Sequence, residues 1–179
     1  MKVYLISGKA GSGKNEVASL IKSYYEEKGK KAAITEVSKY IKVLAKEILN
    51  WDGNESDKPR KFLQETGYTF RHILFDQDFF INRIIEETSF YEKYLDILII
   101  SDIRLPNEID TFKEKLDAVS INVKNEFSKS ALTSDEQQHE TEVALDNYQN
   151  FDYVLENAAH EDLRNKVINI VEEVDKDEK

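Results

Sequence analysis

Gly8-Lys9-Ala10-Gly11-Ser12-Gly13-Lys14-Asn15 sets a glycine, four residues, a glycine and a lysine in the spacing of a phosphate-binding P-loop. The apolar run Val3 to Ile6 before it reads as a buried strand. After it, Val17, Leu20, Ile21, Tyr24 and Tyr25 recur at helical spacing until Gly29, where a left-handed cap is easy. The flanks decide the reading, because a strand, a glycine loop and a helix together can wrap an anion. Backbone amides of the loop point inward, and the helix offers its positive end to the same phosphate. Lys14 adds a charge for the outer phosphates.

Outward from the loop, strands and helices alternate. Ala32 to Val37 is a second strand, followed by a helix with Ile41, Leu44, Ala45 and Ile48 on one face. A polar insert, 52–58, leads to Pro59 in a helical first turn, and a further helix carries Phe80, Ile81, Ile84 and Ile85. Leu95 to Ile100 is the most apolar short run and reads as a central parallel strand, ending at Ser101 and Asp102. Pro106 opens a helix, Ala118 to Val123 and Phe151 to Leu155 are strands, and Ser134 with Gln137 has capping-box spacing. Leu163, Val167, Ile170, Val171 and Val174 form the stripe of a last helix. The expected fold is an α/β P-loop NTPase, a parallel β-sheet with helices on both faces and ligands at the carboxyl ends of the strands. The 179 residues predict one domain, with an all-helical segment at about 38–90 and a polar stretch at about 125–138 that is poor in apolar residues.

Charge narrows the partners. A formal net charge of -10 works against nucleic acid polymers and anionic membranes, which need a basic face, so phosphate ligands should be small and locally held. The chain has no cysteine, which removes disulfides and thiolate metal sites and suits a cytoplasmic compartment. No stretch reaches the length of a membrane span.

Two oxygen ligands for a magnesium ion stand out. Asp102, at the end of the apolar strand, occupies the place where a P-loop protein sets the carboxylate that orders the metal or its waters. Asn15 stands where the standard motif has a serine or threonine hydroxyl, and an amide oxygen can serve as ligand instead. Neither the glycine of a GTPase switch nor a guanine-reading Asn-Lys-x-Asp follows Asp102. Among the arginines, Arg104, Arg60 and Arg71 are candidates for bidentate capture of a substrate phosphate, with Arg83 the weakest because it lies on a regular amphipathic helix. His139 and Glu142 share a helix face, which by spacing alone is a solvated pair.

These motifs together resemble the deoxynucleoside monophosphate kinases of phages and related bacterial P-loop kinases, over nearly the whole chain. Ile6 to Lys14 resembles that family's opening, and Ile100-Ser101-Asp102-Ile103-Arg104-Leu105-Pro106-Asn107-Glu108 its third-strand signature. Tyr40-Ile41-Lys42, then Lys58-Pro59-Arg60 with Leu63-Gln64 and Gly67, are similar to the segment after strand two and the acceptor-side helix. His139-Glu140-Thr141-Glu142 resembles the His-x-Ser-Glu element, and Phe151 to Val154 with Asn157 the last strand and turn. The resemblance implies a nucleoside monophosphate kinase-like sheet and ATP with Mg2+ on Gly8, Gly11, Ser12, Gly13, Lys14, Asn15 and Asn157. It also implies an acceptor nucleotide near Lys42, Arg60, Gln64, Arg71, Arg104, His139 and Glu142, with Lys14, Asp102 and Arg104 as the catalytic set. A homodimer is compatible with it. The resemblance makes the segment at about 38–90 a helical acceptor-binding insert and the stretch at about 125–138 a lid, which offers only Lys124 and Lys129 as cations. Asn15 and Glu16 depart from the family's aspartate and threonine, and Thr141 from its serine. Two other readings stay open: a P-loop kinase acting on dephospho-coenzyme A or a nucleoside, and a module that binds nucleotide without turnover.

Overall fold

The computed structural model describes residues 1–125, 133, 137–158 and 162–177. Its elements are β1 (Lys2–Ser7), α1 (Lys14–Glu27), β2 (Ala32–Glu36), α2 (Lys39–Leu49), α3 (Arg60–Thr69), α4 (Phe79–Tyr91), β3 (Ile97–Ile103), α5 (Pro106–Leu116), β4 (Val119–Lys124), α6 (Glu140–Val143), β5 (Tyr153–Glu156) and α7 (Leu163–Asp177). A 3-10 turn at Glu55–Asp57 precedes α3, and a π-helical turn at Phe70–Leu74 follows it. Five strands pair in the order β2-β3-β1-β4-β5, all parallel. The α/β P-loop architecture expected from the sequence is therefore the one observed.

Each face of the sheet carries its own core, because successive side chains of a strand point to opposite sides. Tyr4, Ile6, Ile97 and Ile99 meet Val17, Ile21, Val167 and Val171 of α1 and α7 on one face. Val3, Leu5, Leu98 and Ile100 meet Ile41, Leu63, Ile84, Ile109 and Phe112 on the other. β1 sits at the centre with β3 beside it, so the loops after them lie next to one another at one end of the sheet. No helix among the described residues is long and apolar enough to cross a membrane.

Several boundaries move. The third strand begins at Ile97 rather than Leu95 and continues through Asp102 to Ile103. The last strand begins at Tyr153 rather than Phe151, and Pro59 caps α3 instead of lying within it. On α2 only Ile41 and Ala45 are buried. Ile48 is 62% exposed, in the last turn of the helix before a left-handed Asn50. The expected cap at Ser134 lies outside the described residues, as does most of the stretch at 125–138.

Candidate active site

The phosphate loop is shaped by close approach. Gly8 has φ 149°, and a Cβ there would stand 2.5 Å from both the Val123 carbonyl oxygen and Ser12 Oγ. Gly13, at φ 93°, faces the Asn157 amide, which would lie 2.3 Å from an added Cβ. Only glycine fits such contacts at such angles. Asn157 Nδ2 donates to the Ser12 carbonyl at 2.9 Å, and its own N–H donates to the Lys124 carbonyl at 2.7 Å. This residue thus braces the loop from the end of β5. Ser12 is buried, and its hydroxyl has no partner among the described residues.

Lys14 opens α1 with its side chain in the interior, where Nζ reaches the Lys9 carbonyl at 3.5 Å. Burial, then the neighbouring Arg104 charge, lowers its pKa to about 8. A phosphate arriving beside Lys14 restores the charge that burial disfavours.

Asp102 is aimed by a bulge. Leu5 pairs with Ile100 but Ser7 pairs with Ile103, so β3 carries one residue more than β1 across this step. Asp102 takes up the irregularity at φ 62°, in the left-handed region that aspartate tolerates better than most residues. Its Oδ2 accepts from Ser38 Oγ and its Oδ1 from Arg104 Nε, each at 2.9 Å. Burial opposes its charge, but Arg104, Lys14, Lys42 and Lys58 outweigh burial and hold the carboxyl well below its usual range.

Arg104 is fixed at three points. Its Nη1 donates to Glu142 at 2.7 Å, its Nε to Asp102, and its backbone N–H to buried Glu108 Oε2 at 2.7 Å. Glu108 also accepts from the Leu105 N–H at 3.0 Å, closing the turn into α5, and burial pushes its carboxyl up to about 7. Glu142 is therefore not half of a solvated pair with His139, since its side chain is only 9% exposed against Arg104. His139 turns away from it, and its Nδ1 accepts from the Thr141 N–H at 3.3 Å to cap α6.

Two adjoining cavities share Lys42, Lys58, Arg60, Asp102 and Arg104. One lies against Gly11, Gly13, Lys14 and Asn15 of the phosphate loop. The other runs beneath α2 and α3, with Ile41, Leu63 and Phe80 as apolar walls and Gln64, Arg71 and Glu142 among its polar ones. Arg71 is buried, donates from Nη2 to Glu140 at 2.9 Å, and has no partner for its Nε among the described residues. Lys42 is paired with Glu36, and Arg60 donates to Glu55 at 3.2 Å. Arg83 is exposed and bound to Glu86 of its own helix, away from both cavities.

The structure thus brings Lys14, Asn15, Lys42, Arg60, Gln64, Arg71, Asp102, Arg104 and Glu142 around one space. His139 and Asn157 instead support its walls. Sequence reasoning missed Ser38, Lys58 and Glu108. Glu108 had a signal, standing three residues after Leu105 at the start of a helix opened by proline. Lys58 stood in the Lys58-Pro59-Arg60 segment of the resemblance but was not singled out, and Ser38 had no signal, because only the packing of α2 against the sheet brings it to Asp102.

No family model and no curated protein matches the chain. Among solved structures it is similar to a shikimate kinase from Bacteroides thetaiotaomicron, with a TM-score of 0.54 and 11% identity over 98% of each chain. A shikimate kinase from Aquifex aeolicus gives a TM-score of 0.50 at 15% identity, over 99% of this chain and 98% of that one. A sugar kinase from Janibacter sp. gives 0.50 at 10%, over 98% and 95%. The chain has the α/β P-loop fold. At such identities the likeness extends to the fold alone, and the P-loop residues of this chain must speak for its chemistry.

Proposed function

We propose that the protein transfers the terminal phosphoryl group of ATP to a nucleoside monophosphate, a deoxynucleotide in the nearest reading. The observation that carries it is the junction of the two cavities, where Lys14 and the loop glycines face the donor side and Asp102, Arg104, Lys42 and Arg60 face both sides. Donor and acceptor phosphates held there would meet across cationic side chains, in line for displacement. The apolar walls with Gln64 suit a base, and the cations suit its phosphate.

An oxygen of the acceptor phosphate attacks the terminal phosphorus, the bond to the bridging oxygen breaks, and ADP leaves. That oxygen is already a nucleophile at neutral pH, so the chain need not supply a strong base. Its task is to neutralise charge and exclude water. Lys14 and the loop amides hold the donor, while Arg104, Arg60 and Lys42 orient the acceptor. The donor set fits a magnesium ion that keeps most of its waters: Asp102 stays ionised at the strand end, Asn15 offers an amide oxygen nearby, and the described residues contain no group of three carboxylates or histidines. When bound, it would screen the charge of the outer phosphates.

Asn15 in place of a hydroxyl favours a second reading, a module that binds nucleotide and does not turn over. ADP release with magnesium and ATP, measured against deoxynucleoside and ribonucleoside monophosphates, dephospho-coenzyme A and nucleosides, separates the two. Turnover with one monophosphate, lost in Lys14→Ala, supports transfer; ATP binding with no turnover on any acceptor supports the module.

A further inference from the structure

The phosphate-side cavity is bordered by Lys14, Lys42, Lys58, Arg60 and Arg104 against Glu36, Glu55 and Asp102. Their pairings differ in how easily they can be exchanged. Arg104 is locked between Asp102 and Glu142, whose side chains are 15% and 9% exposed, so withdrawing it leaves two buried carboxylates unpaired. Lys58 instead donates to both oxygens of Glu55 at 3.1 Å, and Arg60 shares that carboxylate. Here the burial is one-sided: the Glu55 side chain is 62% exposed and that of Lys58 14%. Glu55 returns to water at little cost when its cation leaves, whereas Lys58 stays inside the cleft.

Position sharpens the contrast. Lys58 borders both cavities, at the junction it shares with Lys42, Arg60, Asp102 and Arg104, and of these cations it is the one paired to a largely exposed carboxylate by both oxygens. Its charge is felt by both Lys14 and Asp102. Its ammonium is a compact point charge on a flexible stem, suited to following a moving anion, whereas the Arg60 fork suits a phosphate that stays still. It sits on a short arm between the 3-10 turn Glu55–Asp57 and the first turn of α3, at an extended φ -56°, ψ 123°.

Resting on the phosphoryl-transfer reading, we propose that Lys58 leaves Glu55 on substrate binding and contacts the phosphoryl group in flight, with the Glu55 carboxylate holding the place of that anion in the free protein. Lys58 forms no bond to phosphorus and moves no proton. It neutralises charge that grows on the transferring oxygens while the acceptor oxygen bonds and the ADP oxygen departs.

The test uses the full chain, magnesium, ATP and the acceptor that wild type accepts, comparing wild type, Lys58→Ala, Lys58→Arg and Arg83→Ala by initial rates. Loss of a charge that acts only in transfer lowers kcat by about 100-fold in Lys58→Ala and leaves both KM values within about threefold. Lys58→Arg recovers about a tenth of the wild-type rate, and Arg83→Ala keeps it. Circular-dichroism melting of Lys58→Ala within a few degrees of wild type separates this loss from unfolding. A Lys58→Ala kcat within threefold of wild type, or a loss confined to KM, overturns the role of Lys58 while leaving phosphoryl transfer standing. No turnover by wild type on any acceptor overturns transfer and this role together.

Discussion

At the scale of single residues, Glu108 and Asn15 make the sharpest demands. Burial raises the Glu108 carboxyl from an ordinary 4.5 to about 7, although two backbone N–H groups favour its charge. Its protonated form is therefore the one the fold prefers. The stability this adds is present below about pH 4.5 and is lost as pH rises through about 7, a span of ~3 kcal/mol at most. Glu108→Gln keeps an acceptor for Arg104 and Leu105 but cannot ionise. Chemical denaturation between pH 4.5 and 8 should show the variant falling less steeply than wild type; parallel profiles would mean that Glu108 does not titrate in this window. Asn15 is exposed at the start of α1 and borders the donor side. Asn15→Thr restores the hydroxyl of the standard motif and is expected to raise magnesium-dependent kcat several-fold, about 1 kcal/mol of transition-state stabilisation. An unchanged rate across a magnesium titration would show that the amide already serves. The phosphate loop, Lys14 and Asp102 were legible at this scale because their meaning lies in local spacing. Glu142 was named only through the resemblance of 139–142, and its pairing with Arg104 was not legible, since the two lie 38 positions apart and no local pattern announces the pair.

At the scale of elements, the strand-loop-helix unit is tied to β4 and β5 by backbone contact. The Val123 carbonyl blocks any side chain at position 8, and Asn157 holds the Ser12 carbonyl. Gly8→Ala adds a Cβ at a left-handed φ against a carbonyl that cannot swing away, and should cost about 2 kcal/mol or more along with nucleotide binding. Asn157→Ala leaves the backbone free of strain and removes one hydrogen bond, about 1 kcal/mol, so it should weaken nucleotide binding more than it lowers the melting point. Urea titration and ATP binding on both variants check the order, and equal loss of binding and stability in Asn157→Ala would mark it as a purely structural brace. Periodicity found the elements, yet it misjudged where they end. The bulge that carries Asp102 arises from pairing with β1, and the exposure of Ile48 from how α2 packs, neither of which a single segment records.

At the scale of the molecule, both cores meet at β1 and β3, whose ends carry the phosphate loop and Asp102. The α1 and α7 layer sits on one face and α2 to α5 on the other, and the two cavities open where the α2 to α5 layer meets the loop. A donor bound to the loop therefore braces the central strands, while an acceptor braces α2 and α3. Each ligand should stabilise the fold, by about 2.7 kcal/mol at a hundredfold excess over its Kd, which is ~5–10 °C for a chain of this size. The two ligands also share the cations at the junction, so a donor without its terminal phosphate and an acceptor monophosphate should add their shifts. A non-hydrolysable ATP analogue with the same acceptor places like charges against one another across Lys58 and Arg104, and should give less than the sum unless magnesium is present. Calorimetric melting with each ligand alone and with both, with and without magnesium, measures that coupling. Strict additivity under all conditions would mean that the two cavities do not bring the phosphates together, whatever each of them binds.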